Sequence, residues 1–85
     1  MPTLILTNTF KSKLVGLSVV EQKQVLKALR LLAENLKHPS LQTHKVKGTE
    51  FWEAYVNKSI RIIYQQNSDM LTLMDVGHHD ILKGY

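Results

Sequence analysis

The sequence predicts an α+β domain in which a helical hairpin packs on an antiparallel, twisted sheet, in the order β-α-α-β-β-β. Three observations carry this. A serine–glutamate capping signal opens one strongly amphipathic helix. Three runs rich in aromatic and β-branched residues follow it, separated by short polar turns. The 85 residues give room for one core, so residues 1–85 are expected to form a single domain.

Residues 3–7 are short and β-rich and make the expected first strand. Asn8 or Thr9 then caps a short helix carrying Phe10, Leu14 and Leu17, which Gly16 helps to end. Ser18-Val19-Val20-Glu21 is a capping box: the serine hydroxyl accepts from the Glu21 backbone N–H, and the glutamate reaches back. Behind it Val25, Leu29, Leu32 and Leu36 recur at helical spacing, widened by Leu26 and Ala33. Glu21, Lys23, Lys27, Arg30 and Glu34 take the other faces. Pro39 stops this helix and pushes His38 out of helical geometry. Residues 37–50 form a polar loop, long for a compact domain and thus a functional candidate. Strands follow at 51–56, 60–66 and 70–76, with turns at 57–59 and 67–69, and Gly77 breaks the last one before a tail. Short turns make these strands antiparallel. The helices cover one sheet face and leave the other free to be a site.

Composition narrows the chemistry. Hydrophobic residues make up 44%, too many for a disordered chain, and the absence of cysteine excludes a disulfide framework and a thiolate zinc site. The first residues lack the charged start and apolar run of a signal peptide, and no apolar run approaches a membrane span. A cytoplasmic location with no membrane association is therefore expected. Net charge is +4 and the pI about 9.5, which fits a polyanion or an acidic protein as partner.

Arg61 lies in the strand expected to be central, and alternation turns it away from Ile60 and Ile62. A guanidinium costs several kcal/mol to desolvate, so it is expected to face a groove and pair there. A salt bridge to Glu53 or Asp75 is the plain structural alternative. In His44-Lys45-Val46-Lys47-Gly48 the two lysines alternate around an apolar residue and reach toward the same groove from its edge. With Arg61 they would bind a phosphodiester and stabilise charge growing on it; a solvated loop is the competing reading. His44 and Lys58 extend this basic surface.

His78-His79-Asp80 and Tyr85 supply proton-transfer groups near neutral pH and a ring to stack on a base. Adjacent histidines on an extended chain point to opposite sides, so one of them faces the groove. No third ligand spacing supports a metal. Trp52, Tyr55 and Tyr64 offer stacking surfaces for unpaired bases, with core packing as the competing role of Trp52 and Tyr64.

Four runs then matter together: His38-Pro39-Ser40-Leu41-Gln42-Thr43-His44-Lys45-Val46-Lys47-Gly48, Phe51-Trp52-Glu53-Ala54-Tyr55-Val56, Ile60-Arg61-Ile62-Ile63-Tyr64 and Val76-Gly77-His78-His79-Asp80. With these the chain resembles the RelE/ParE superfamily of type II toxin–antitoxin toxins, over nearly its whole length. Some members cut messenger RNA on the ribosome and others inhibit DNA gyrase. The resemblance implies a strand, a helical hairpin and an antiparallel sheet. For the RNA-cutting branch it implies basic residues that polarise the scissile phosphate, attack by the 2′-hydroxyl, and help from a histidine or tyrosine near the C-terminus. Arg61 matches the sheet arginine, His78 or His79 the tail acid, and Tyr85 a terminal tyrosine. Residues 52–56 carry no lysine where some members have them, so Lys45 and Lys47 stand in from the loop, and the tail lacks a second arginine.

The function implied is a ribosome-dependent endoribonuclease, an mRNA interferase whose induction arrests growth. Cleavage by the RNA's own 2′-hydroxyl needs no metal and no cofactor. The expected catalytic residues are Arg61, His79, His78, Lys47 and Tyr85; the expected RNA contacts are Lys45, Lys47, His44, Lys58 and Tyr55. The implied partners are a cognate antitoxin, forming a hetero-oligomer, and messenger RNA in the ribosomal A site. The alternatives are a ParE-like gyrase-inhibiting toxin and a catalytically inactive interaction domain.

Overall fold

The structure is a computed structural model that describes residues 2–78, 80 and 81. Its elements are strand β1 (Thr3–Leu6), helices α1 (Asn8–Val15) and α2 (Val19–Glu34), a 3-10 turn (Pro39–Leu41), and strands β2 (His44–Lys45), β3 (Trp52–Tyr55), β4 (Ile60–Asn67) and β5 (Met70–His78). The strands lie in the order β1-β5-β4-β3-β2. The later strands pair antiparallel; β1 lies parallel to β5, with the two helices and strands β2, β3 and β4 between them in the chain. The expected α+β architecture is the one observed, with β2 added inside the segment read as a polar loop.

One sheet face is apolar. Ala54, Ile60, Ile62, Tyr64, Leu71, Leu73 and Val76 meet Phe10, Val25, Ala28, Leu29, Leu32 and Leu41, all buried. Each such large side chain contributes roughly 1.5–3 kcal/mol through burial. On α2 the buried stripe is Val25, Ala28, Leu29 and Leu32, whereas Leu26, expected to widen it, is 55% exposed because it lies one residue off the stripe.

The capping box forms as expected: Glu21 N donates to Ser18 Oγ at 3.1 Å and Ser18 N to Glu21 Oε1 at 3.0 Å. The α1 cap is Thr7, not Asn8 or Thr9. Its hydroxyl accepts from Phe10 N and donates to the carbonyls of Leu73 (2.8 Å) and Met74 (3.4 Å), so a tertiary contact decides the choice.

Those carbonyls mark the irregularity that orders the rest of β5. Ile63 pairs with Asp75 but Tyr64 pairs with Leu73, leaving Met74 as an extra residue, a β-bulge. The bulge shifts alternation by one, which keeps Val76 on the helix side with Leu71 and Leu73. It also turns Asp75 and Gly77 to the open face. The strand continues through Gly77 to His78 rather than breaking at the glycine.

Candidate functional site

The open face of the sheet is built from alternate residues of β3, β4 and β5. Arg61 is opposite Tyr55 on one side and Gly77 on the other, and Glu53 is opposite Ile63 and His44. Arg61 is only 9% exposed. Its guanidinium carbon lies 3.6 Å from the Tyr55 ring centroid. Its Nη1 donates to the carbonyls of Asn57 (2.6 Å) and Ile60 (3.2 Å).

The salt bridge to Glu53 or Asp75 does not form, because both carboxylates have other partners. Glu53 pairs with His44 at 2.9 Å and Asp75 with Lys13 at 3.2 Å. Among the described residues Arg61 pairs with no carboxylate, and its Nη2 and Nε make no hydrogen bond. Neither atom is sealed from solvent without a partner. Carbonyl oxygens and an aromatic face thus fix the group without cancelling its charge. It lines a cleft of about 420 Å³ with Ser40, Gln42, Tyr55, Asn57 and Lys58.

His44 borders the same row, edge-on to Tyr55 with ring centroids 6.1 Å apart. Its Nε2 meets the Glu53 carboxylate and its Nδ1 lies 2.9 Å from the Gln42 carbonyl. Glu53 is buried and His44 exposed, so the pair runs from the sheet interior to solvent.

No protein-family model matches the sequence, and no curated protein matches it. Solved structures do. A metal-bound toxin from Helicobacter pylori is similar with a TM-score of 0.73 and 25% identity, covering 96% of this chain and 99% of that one. YafQ from E. coli strain BL21(DE3) gives 0.75 at 17% identity, covering 96% and 98%. A chain of the archaeal RelE–RelB complex from Pyrococcus horikoshii OT3 gives 0.74 at 16% identity, covering 91% and 93%. This chain has the RelE/ParE-like toxin fold.

Within that RelE/ParE-like frame the sequence-derived candidates fall into separate places. Arg61, Tyr55, Lys58 and His44 gather at or beside the cleft. Lys45 does not: it pairs with Trp52, on the opposite parity to His44, and lines another depression with Glu50, Trp52, Gln65, Gln66 and Asn67. Lys47 follows β2, is exposed, and lines neither. The two-residue β2 thus brings the histidine, not the lysines, to the open face. His78 pairs with Ile60 on the helix side, within electrostatic reach of Glu21, because the bulge has shifted the alternation. His79 and Tyr85 lie outside the described residues.

Trp52 and Tyr64 stack on each other with centroids 6.4 Å apart, and Tyr64 is fully buried. Burial pushes its phenol up to about 12, opposed by nearby Thr43. The Thr43 hydroxyl donates to the Leu36 carbonyl, and the buried Tyr64 oxygen makes no close hydrogen bond. Asn57 and Gly77 flank Arg61 in the structure, where the sequence marks them only as turn and strand-end punctuation. A Cβ on Gly77 would come within 2.8 Å of Ile81 Cγ2, so only glycine lets that side chain settle beside Arg61's strand partner. Among the described residues no three of His, Asp and Glu converge as metal ligands, and no helix is long and apolar enough to cross a membrane.

Proposed function

We propose that this chain is the toxin of a type II toxin–antitoxin pair, and that it cleaves messenger RNA at the Arg61 cleft. The observation that carries this reading is a nearly buried guanidinium held in place by carbonyls and a ring, with an un-neutralised edge toward a cleft. Such a group suits a phosphodiester. It binds the ground-state anion, and it stabilises the larger charge on the phosphoryl oxygens when the 2′-oxygen bonds to phosphorus.

The chemistry needs two proton movements. The 2′-hydroxyl loses its proton as the 2′-O–P bond forms, and the 5′-oxygen gains one as the P–O5′ bond breaks. The products are a 2′,3′-cyclic phosphate and a 5′-hydroxyl. His44, beside the cleft and backed by Glu53, is the proposed acid that protonates the leaving oxygen. His79 is the proposed base. Tyr55 supplies a ring edge for a flanking base, and Lys58 a charge for the neighbouring phosphate. Lys45 and Lys47 attract the polyanion without touching the reacting phosphate, and Tyr85 acts as a secondary tail contact.

The RelE–RelB complex among the similar structures supports an antitoxin as partner. The ribosomal A site is the proposed setting, where the ribosome holds the RNA in the bent geometry that in-line attack requires. A second reading, a toxin that binds without cleaving, draws support from β3, which brings no lysine to the cleft.

Induction of the chain alone, with mapping of new 5′ ends, tests the proposal. Growth arrest with cuts phased to reading frames, lost in Arg61→Ala, supports ribosome-dependent cleavage. Arrest with intact messages points to gyrase. Absence of arrest from folded protein points to a non-catalytic interaction domain.

A further inference from the structure

We propose that Asn57 is the positioning residue of the Arg61 cleft, and that Gln24 of α2 anchors it there; the inference rests on the cleft being the RNA-cleaving site. Asn57 lies in the β3–β4 turn, half-buried, and uses nearly every polar atom it has. Its Oδ1 accepts from Ser59 N and from Ile60 N, both at 2.7 Å. Its Nδ2 donates to Gln24 Oε1 at 2.7 Å. Its backbone carbonyl accepts the 2.6 Å bond from Arg61 Nη1. The side chain fixes the turn, and the turn presents the carbonyl.

The consequence is directional. A guanidinium has five N–H donors in a rigid fork. Committing Nη1 to the Asn57 and Ile60 carbonyls, with the plane laid on Tyr55, leaves the Nη2–Nε edge as the one free to meet a phosphate. That edge suits bidentate contact. Without the Asn57 caps, the turn loses the two bonds that set its carbonyl, and Arg61 can swing about its own strand. Gln24 is exposed on α2 and lines a depression between that helix and the 3-10 turn. Its bond therefore ties the helix layer to the cleft rim across 33 residues of sequence.

The experiment pairs kinetics with a readout that does not depend on activity. Arg30 and Arg61 are the arginines of the chain, so the Arg61 side-chain Nε–Hε signal is assignable in a ¹⁵N spectrum with Arg30→Lys as control. In Asn57→Ala that signal is expected to lose its distinct shift. RNA cleavage is expected to fall in kcat by on the order of 10²-fold with KM little changed. Gln24→Leu gives a smaller loss of the same kind, and Gln24→Glu, which keeps the acceptor, restores it. Because Gln24 is exposed, these variants keep the fold even if Asn57→Ala does not. An unchanged Arg61 signal and unchanged kcat in folded Asn57→Ala, or in Gln24→Leu if Asn57→Ala fails to fold, would overturn the proposal. Absence of cleavage by the wild type would instead count against the RNA-cleaving reading, while the Arg61 signal in the variants still decides the positioning role.

Discussion

Replacing Arg61 with methionine is expected to cost the fold little. The guanidinium is 9% exposed and no carboxylate offsets its desolvation, so an apolar side chain of similar length is near neutral or stabilising. Urea unfolding should show the midpoint held or raised in a variant whose induction no longer arrests growth; a large destabilisation would mean that the arginine serves the core. Tyr64 gives a second residue-scale prediction. Its hydroxyl is buried and unbonded, so Tyr64→Phe is expected to stabilise by about 1–2 kcal/mol. The folded phenol titrates at about 12 rather than 10.0, so the unfolded chain releases that proton first. The stability this contributes is complete below pH 10 and is lost as pH rises toward 12. Urea midpoints across that range should fall in the wild type and fall less in Tyr64→Phe. The candidate site was only partly legible in the sequence. Arg61 was, because an arginine between isoleucines in a central strand is costly unless used. The His44–Glu53 pair was not, since it depends on a two-residue strand hidden in a polar loop.

Among the elements, helices and strands were legible where periodicity and turn chemistry agree. The capping box and the Asn57–Ser59 and Asn67–Asp69 turns fixed α2, β3, β4 and β5 to within one or two residues. The bulge at Met74 was not legible, because nothing in Leu71-Thr72-Leu73-Met74-Asp75-Val76 announces the extra residue. That one residue turns His78 to the helix side. Thr7 binds the bulge carbonyls and caps α1 at once, so Thr7→Val is expected to lower stability by about 1–2 kcal/mol, measurable by thermal unfolding. At the start of α2, the Ser18 bonds hold the Glu21 carboxyl below its usual 4.5. Its contribution is present above that value and is lost as pH falls below it. Glu21→Gln should therefore flatten the acid limb of the melting temperature between pH 4.5 and lower values.

At the scale of the molecule, one sheet face is packed by helices and the other carries a small positive cleft on a chain of net charge +4. Binding of RNA through Arg61 and Lys58 would neutralise about two phosphates, giving a log–log salt slope of about −1.4. Fluorescence titration at several salt concentrations reads that slope, and a slope near zero would remove the polyanion from the account. The chemistry itself has a sharper test, in which ribosomes programmed with a message carrying a single 2′-deoxy nucleotide at a mapped cleavage position are treated with the purified chain. The all-ribose message should be cut to leave a 5′-hydroxyl and a 2′,3′-cyclic phosphate, with the deoxy message intact. Cleavage of the deoxy message at the same position, or a 5′-phosphate on the product, would contradict attack by the 2′-hydroxyl at the Arg61 cleft.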